Sequence, residues 1–236
     1  MKRYRVVELS NIMWIIMVSR KIPFAGVRKA ISQRLRPGFH EALPVALMTE
    51  YIADAMLEHR NKLNNIASFT AYGVKAVALS LKDFPDMNVT LEGEEIVFHE
   101  DVNIAVAVHT PKGLRAPVIR DADKKSLIEI TEIINEFSEK GKRGEITLAD
   151  QSGHSFTVTN LGMMGVTFFT PIINPPDTAI LALGAIKQQP MLVNSEWKIR
   201  NIGYLTLVFD HRVIDGFPAA TFLTIVKKFL EKPDDL

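Results

Sequence analysis

The chain has 236 residues, enough for one large globular domain, and 47% of them are hydrophobic, so a sizeable core can be buried. Its formal net charge is +1, with acids and bases interspersed, which gives no electrostatic reason to expect nucleic acid or an anionic membrane as a partner. The absence of cysteine excludes disulfides, thiolate metal sites and a cysteine nucleophile, and it fits a cytoplasmic protein.

The first 21 residues differ from the rest of the chain. Their apolar stretch, 12–18, is far shorter than the roughly 18 to 20 residues that span a bilayer. A basic start before a short apolar run resembles a signal peptide, but basic residues stand where a small-residue cleavage site would follow. We therefore interpret residues 1–21 as a linker remnant, an expression artefact or an arm that buries Trp14 on another subunit, and residues 22–236 as one domain.

Hydrophobic periodicity alternates between helical and strand spacing along this domain. An amphipathic helix is predicted at 24–36, and a second helix at 49–62. A run that is apolar almost all round predicts a helix buried in the middle of the fold at 70–82. Short strands are predicted to follow at 88–91, 96–99, 102–109 and 114–119.

A capping box of Ser126 and Glu129 predicts another helix, expected to end at Gly141. Three further strands are predicted at 155–159, 178–186 and 204–209. Pro218 is suited to the first turn of a closing helix after Gly216. Strands outnumber the long helices, so we predict an α/β fold, a two-layer sandwich with helices packed on a large mixed sheet.

His211 is the strongest candidate for chemistry because it lies between a strand end and a helix start, where a side chain can be held rigidly beside a cleft. An imidazole with a pKa of about 6.5 can accept a proton near neutral pH from a thiol with a pKa of about 8.5. From position alone, a structural histidine is equally well supported. A metal site shared with Asp215 is weakly supported, because no second cluster of ligand-type residues lies nearby.

Asp215 and Gly216 are predicted to form the turn into the last helix. The simplest structural role for Asp215 is that its carboxylate interacts with the free backbone amides and the dipole at the start of the helix. A functional carboxylate here would instead fix the loop by pairing with a cation. Gly216 would allow a positive φ or the close approach of a ligand.

Other polar and flexible residues are predicted to be structural. The remaining histidines share no clustered spacing, and each is expected at the surface or at a strand edge: His40, His59, His99, His109 and His154. The pair Met163-Met164 could line an apolar acyl pocket, but flexible filling of the core is the favoured interpretation.

Four blocks of sequence, in order and without a large gap from about Lys21 to the C-terminus, resemble one family. They are 28–35, 113–122, 155–184 and the segment Asp210-His-Arg-Val-Ile-Asp-Gly216. A lone HxxxDG pattern is weakly specific, whereas four ordered blocks are highly specific. The chain is similar to the dihydrolipoamide acyltransferase (E2) components of 2-oxo acid dehydrogenase complexes, with residues 22–236 as the catalytic core domain.

This resemblance implies a chloramphenicol-acetyltransferase-like fold that forms homotrimers, with each active site between two subunits. His211 would deprotonate the thiol that attacks a thioester directly, so no acyl-enzyme is needed. Thr159, supplied across the interface, would stabilise the oxyanion, and an ordinary strand threonine is the alternative from the residues alone. Asn160 and Gly216 are expected to support the substrate or the loop.

The resemblance also implies that Asp215 pairs with Arg28 of the opening helix. Arg28 could equally be one of several solvated bases on that helix, together with Lys29 and Arg34. The segment 232–236 resembles a terminus that joins trimers into a closed shell, with Leu236 as an apolar knob on a neighbouring trimer.

The implied substrates are coenzyme A and lipoamide, with no tightly bound cofactor and no metal. The implied partners are a lipoyl domain and the E1 and E3 components; residues 1–21 resemble neither a lipoyl nor a subunit-binding domain. Whether the acyl group is acetyl, succinyl or branched-chain is not readable from the sequence. The alternatives are an inactive structural core of the same fold, a chloramphenicol-acetyltransferase-like enzyme, and a condensation domain, which Asp210 before His211 and the size of the chain disfavour.

Overall fold

The computed structural model describes residues 22–111 and 113–236 with their side chains, and the backbone of two strands nearer the N-terminus. These are β1 (Arg3–Leu9) and β2 (Ile12–Val18), which pair antiparallel along their whole length. The expectation that Trp14 is buried on another subunit concerns a side chain outside the described residues, and it stays a prediction.

The described chain continues with eleven strands and six α-helices. The strands are β3 (Pro44–Ile52), β4 (Val89–Glu92), β5 (Glu95–Phe98), β6 (Ile104–Val106), β7 (Val108–Thr110), β8 (Gly113–Arg115), β9 (Val118–Ile119), β10 (Phe156–Asn160), β11 (Ala179–Leu183), β12 (Lys187–Val193) and β13 (Glu196–Asp210). The helices are α1 (Val27–Leu35), α2 (Pro37–His40), α3 (Asp54–Lys62), α4 (Phe69–Asp83), α5 (Leu127–Arg143) and α6 (Gly216–Glu231).

A seven-stranded sheet forms the centre of the fold. Its order is β12-β13-β11-β10-β6-β9, and β3 pairs with β13 beside this path. β10 runs parallel to both β6 and β11, whereas β11 and β13 are antiparallel. The predicted large mixed sheet is therefore confirmed.

The long helices pack together on one face of this sheet. α4 contacts α5, α6 and β10, and ten of its fifteen residues are buried, which confirms the predicted central buried helix. Phe156 and Val158 of β10 belong to the same core, where the Phe156 ring lies 5.5 Å from the ring of Phe222 on α6. Because side chains alternate along a strand, Thr157 and Thr159 point to the opposite face of the sheet.

The ends of α5 follow from its sequence. Ser126 and Glu129 form the predicted capping box, in which each side chain accepts a hydrogen bond from the other residue's amide. The predicted end at Gly141 is wrong, because the helix continues to Arg143 and is closed by the C-cap residue Gly144, which has a φ of 74°. Gly141 instead allows a close approach, since a Cβ there would lie 3.0 Å from Cγ2 of Thr110.

The strand β3 was not predicted, and residues 49–52 are wrongly assigned to a helix by periodicity. The burial pattern of β3 alternates, with Val45, Leu47 and Tyr51 on the inner face. Met48 and Ile52 on the outer face are apolar as well, and they are exposed by 50% and 39%. The apolar outer face hides the two-residue period, so the helix α3 begins five residues later than predicted.

Other boundaries also differ from the predictions. α1 starts at Val27, and none of its residues is buried within the subunit. Pro117, which cannot donate a ladder hydrogen bond, separates β8 from β9 within the predicted strand 114–119. β12 was not predicted, and β13 is 15 residues long because it continues beyond the sheet core to pair with β12.

Candidate active site

His211 directly follows the last residue of β13 and precedes α6 by a short turn, as predicted. Its backbone amide donates a hydrogen bond of 2.9 Å to the carbonyl of Leu43, just before β3. Its side chain is 45% exposed, and the ring lies 5.9 Å from the ring of Phe209. The imidazole is thus held at a strand end and remains open to a ligand.

The residues on either side of His211 form an ion pair in which the carboxylate of Asp210 is buried and Arg212 is partly exposed. The Asp210 side chain is 4% exposed, and one of its oxygens lies 2.6 Å from Nη2 of Arg212. The same carboxylate accepts hydrogen bonds from the backbone amides of Leu43 and Arg212. Burial alone would raise the pKa of Asp210, but the hydrogen bonds from Arg212 and from the two amides hold that pKa below its usual range. No sequence pattern assigns a role to Asp210 or Arg212 by itself.

Asp215 occupies the N-cap position of α6 without capping it. Its side chain makes no hydrogen bond to the helix amides and is 82% exposed. Its Oδ1 lies 3.7 Å from Nδ1 of His211, which is too long for a hydrogen bond. Within the described subunit it forms no ion pair with Arg28, so the expected pairing is not made inside one chain. The expected positive φ at Gly216 is wrong, and the approach of a ligand there stays a prediction.

Thr159 and Asn160 lie at the end of β10. Thr159 is half-buried and pairs with Ala182 of β11. The Asn160 amide donates to Oγ1 of Thr70 at 3.0 Å, and its Oδ1 accepts from the Gly162 amide at 2.8 Å. Asn160 therefore ties the strand end to the start of α4, and its expected role in supporting the substrate or the loop stays a prediction.

Strand register separates Thr159 from His211 within one subunit. Thr159 pairs with Ala182, and Ala182 pairs with Thr206 of β13, two strands away. His211 comes five residues after Thr206, so the offset is about 17 Å along the strands and about 10 Å across them. Backbone positions about 20 Å apart leave the hydroxyl of Thr159 and the imidazole of His211 too far from each other to act on one bond. A site that uses both needs two subunits.

A cavity of about 560 Å³ opens beside the end of β10. Its wall is mainly apolar and carries a few polar side chains, among them Arg60, Ser68, Thr70 and Asn160. No acidic side chain lines this cavity in the described part of the chain. Met163 also lines it, and both Met163 and Met164 are about three-quarters exposed, so the expected filling of the core by this pair is wrong.

Arg60 is held rigidly at this cavity. Its guanidinium donates to the carbonyl of Ala67 at 2.8 Å and to the side chain and carbonyl of Asn65 at 2.7 and 2.9 Å. It also lies 4.8 Å from the ring centre of Phe69. All these partners are neutral, so the positive charge is available to an anionic ligand.

Two expectations about surface residues are wrong. His154 is buried, with a relative exposure of 3%, whereas it was expected at the surface or a strand edge. Arg34 is half-buried and lies against His154, whereas it was expected among the solvated bases of α1. Burial lowers the pKa of Arg34, and the carboxylate of Asp177 opposes that shift.

Among the described residues, no three His, Cys, Asp or Glu side chains converge in a way that could hold a metal ion. In the same part of the chain, no helix is both long and apolar enough to cross a membrane.

The mixed sheet with helices on one face and a histidine at the end of its longest strand defines a chloramphenicol-acetyltransferase-like α/β protein. Chloramphenicol acetyltransferase itself superposes with a TM-score of 0.55 over 84% of this chain and 94% of that enzyme, at 14% identity, which shows the fold alone. The family of 2-oxoacid dehydrogenases acyltransferase (catalytic domain) matches residues 18–236. The chain belongs to this family.

Named relatives agree with this assignment. The succinyltransferase component of the 2-oxoglutarate dehydrogenase complex of Haemophilus influenzae is 36% identical over 97% of this chain and 58% of its own length. The mitochondrial counterpart of Saccharomyces cerevisiae is 38% identical over 88% of this chain and 46% of its own length. The chain thus spans about half the length of the curated relatives it matches.

Solved structures at higher identity extend the comparison of the fold. A probable dihydrolipoamide acetyltransferase from Listeria monocytogenes superposes with a TM-score of 0.86 at 34% identity, covering 91% of this chain and 95% of that one. The dihydrolipoamide acetyltransferase of Azotobacter vinelandii superposes with a TM-score of 0.87 at 29% identity, covering 92% and 93%. The predicted fold and family are therefore confirmed.

Proposed function

We propose that this chain transfers an acyl group between coenzyme A and dihydrolipoamide, with His211 as general base. The observation that carries the proposal is a spacing. The Azotobacter vinelandii enzyme was investigated for a serine, a histidine and an asparagine in its catalytic mechanism, and these residues are separated by 52 and then 4 positions. Thr159, His211 and Asp215 are separated by the same 52 and 4 positions.

The chemistry follows from the groups present. The neutral imidazole of His211 takes the proton of the incoming thiol, whose sulfur attacks the thioester carbonyl. The Thr159 hydroxyl donates a hydrogen bond to the oxyanion of the tetrahedral intermediate. When that intermediate collapses, the leaving thiolate recovers the proton from the imidazolium. The acyl group passes directly between two sulfur atoms, so the protein needs no nucleophile of its own.

In this proposal each active site is shared between two subunits of a homotrimer. The separation of about 20 Å between Thr159 and His211 in one chain supports this arrangement. Trimers would assemble further into a closed shell that receives lipoyl domains and binds the E1 and E3 components. A solved structure with 29% identity and a TM-score of 0.87 is named as the cubic core of the pyruvate dehydrogenase multienzyme complex, which supports an assembly of this kind.

The 560 Å³ cavity is proposed to receive coenzyme A. Its apolar wall suits the pantetheine arm, and Arg60, with only neutral partners, suits a phosphate group. Asn160 lines this cavity and directly follows Thr159 at the end of β10. Residues 22–236 form the catalytic domain in this proposal, and residues 1–21 precede it as an extension.

The acyl group is proposed to be succinyl. The two curated relatives described above, at 36% and 38% identity, are both succinyltransferase components of 2-oxoglutarate dehydrogenase complexes. The Listeria and Azotobacter proteins are described as acetyltransferases, and their identities are lower, at 34% and 29%. Acetyl is therefore the competing acyl group.

The test measures thioester formation on dihydrolipoamide with acetyl-, succinyl- and isobutyryl-CoA. We expect turnover to be highest with succinyl-CoA, and His211→Ala to lower kcat by 10² to 10⁴, the range for loss of a general base. A folded, trimeric wild-type protein that turns over none of the three would identify an inactive structural core. A near-wild-type rate in His211→Ala would remove the histidine from the mechanism.

A further inference from the structure

Asp210 connects the end of β13 to the start of β3. Its Oδ1 accepts from the Leu43 amide at 3.1 Å, while the amide of His211 donates to the Leu43 carbonyl at 2.9 Å. Leu43 is thus bonded on both sides to consecutive residues, Asp210 and His211. These two bonds fix the backbone of the histidine relative to the adjacent strand.

Arg212 completes this link from the other side of the histidine. Its backbone amide donates to Asp210 Oδ1 at 3.0 Å, and its side-chain nitrogens donate to both carboxylate oxygens at 2.6 to 3.1 Å. The two neighbours of His211 are therefore bound to each other around it. Asp215 makes no comparable contact, because it is 82% exposed and 3.7 Å from the imidazole.

From this geometry we infer that Asp210 and Arg212 are positioning residues for the His211 imidazole, which they orient from the strand side. The inference rests on the proposed function, in which His211 is the general base. A displacement of a reacting group by about 1 Å can lower a rate by about a hundredfold, so a small tilt of this turn is costly. Neither residue needs to touch a substrate to have this effect.

The pair also has a defined electrostatic consequence. Charged groups near His211 in the described subunit include the Asp210–Arg212 pair, Asp215 of the same loop, and Glu41, which acts on the Arg212 guanidinium. While both members are present, the effects of their opposite charges on the histidine oppose each other. Asp210→Asn leaves the guanidinium unbalanced, which disfavours the imidazolium, and Arg212→Gln leaves the carboxylate unbalanced, which favours it.

The two variants should therefore move the acidic limb of the pH–kcat profile in opposite directions. We expect the midpoint to fall in Asp210→Asn and to rise in Arg212→Gln, each by about 0.3 to 0.5 pH unit. In both variants kcat should drop by about tenfold to a hundredfold, while KM changes less than threefold. Arg212→Lys, which keeps the charge but not the two-pronged contact, should restore the midpoint and only part of kcat.

Asp54→Asn is the matched control, because Asp54 also pairs with an arginine and accepts from a backbone amide, near the opposite end of β13. It should leave both kcat and the midpoint unchanged. Circular dichroism and light scattering verify that each variant is folded and trimeric. Shifts of the midpoint in the same direction, or none in folded variants, would overturn the inference.

A second measurement separates this inference from the proposed function. The rate at which diethylpyrocarbonate modifies His211, followed by peptide mass spectrometry across pH, reports the ionisation of the imidazole without any turnover. Opposite shifts of this profile are expected in Asp210→Asn and Arg212→Gln even if the wild-type protein transfers no acyl group. Identical profiles in an active protein would reject the electrostatic coupling and leave the proposed function intact.

Discussion

Nδ1 of His154 lies 2.6 Å from Oδ1 of Asp177, and both side chains are almost completely buried, with exposures of 2% and 0%. Thr157 donates to the other carboxylate oxygen at 2.5 Å. The Arg34 guanidinium approaches Nε2 of His154 at 3.3 Å. Because a guanidinium only donates, this contact makes Nε2 the acceptor and assigns the ring proton to Nδ1, which donates to Asp177. The cluster joins α1 to β10, the strand that carries Thr159.

Asp177→Ala is expected to destabilise the protein by about 2 to 4 kcal/mol, because it leaves two buried donors, on His154 and Thr157, without an acceptor. Urea unfolding of the assembled protein at pH 7 measures the change. Asp86→Ala removes an exposed carboxylate and should lie within about 0.5 kcal/mol of wild type. A similarly small change for Asp177→Ala would mean that the buried network adds little to stability.

The contacts of this cluster could not be predicted from the sequence. A basic residue on an amphipathic helix carries no sign of which partner it will meet, and the partner of Arg34 is 120 positions away. His154 follows a glycine and precedes a strand, a setting typical of an exposed turn, and its acceptor is 23 positions away. Contacts of this kind depend on the packing of distant elements, which periodicity does not encode.

Features that depend on short stretches of sequence were predicted correctly. The capping box at Ser126, the all-round apolar character of α4 and the position of His211 after a strand all depend on a few neighbouring residues, and all three are found in the structure. β3 was missed because Met48 and Ile52 make its outer face apolar. The long separation of Thr159 from His211 within one subunit emerges only from the strand register.

Thr159→Ala is expected to lower kcat about a hundredfold with little change in KM, because an oxyanion donor acts mainly on the transition state and contributes on the order of 3 kcal/mol. Thr159→Ser, which retains the hydroxyl, is the matched control and should stay close to wild type. Steady-state kinetics with saturating acyl-CoA measure the effect. An unchanged kcat in a folded Thr159→Ala protein would refute the assignment.

Mixed trimers test whether the site is shared. If His211 and Thr159 act across an interface, co-expressed His211→Ala and Thr159→Ala subunits should form some sites that contain both native residues. Activity should then exceed that of either variant alone by well over tenfold, because each single variant loses about a hundredfold or more. Co-expression of His211→Ala with a His211→Ala, Thr159→Ala double variant is the control and should stay inactive. No recovery in verified mixed trimers would place the site within one chain.

Acid should remove the stabilising contribution of Asp210. Its pKa is lower in the folded protein than the value of about 3.9 expected for an unfolded chain, so its carboxylate stabilises the fold fully above that value. The contribution declines as the pH falls through the lower, folded pKa. The difference in unfolding free energy between wild type and Asp210→Asn should therefore be constant from pH 7 to about 5 and shrink below about pH 4. A constant difference down to pH 2.5 would contradict this linkage.

Leu236 provides a test of the larger assembly. Leu236 packs partly against the core of its own subunit, and Pro233, three residues earlier, is buried. The terminus is therefore held in place, while part of Leu236 remains exposed. An apolar contact of this size contributes only about 1 to 2 kcal/mol, but every trimer in a closed shell would repeat it three times, so its loss is multiplied.

Deleting Leu236 should reduce a large particle to trimers, as measured by light scattering, while kcat per subunit stays the same. Asp235→Ala changes the exposed neighbour and should preserve the large particle. If the large particle also persists without Leu236, the shell must be joined by another surface.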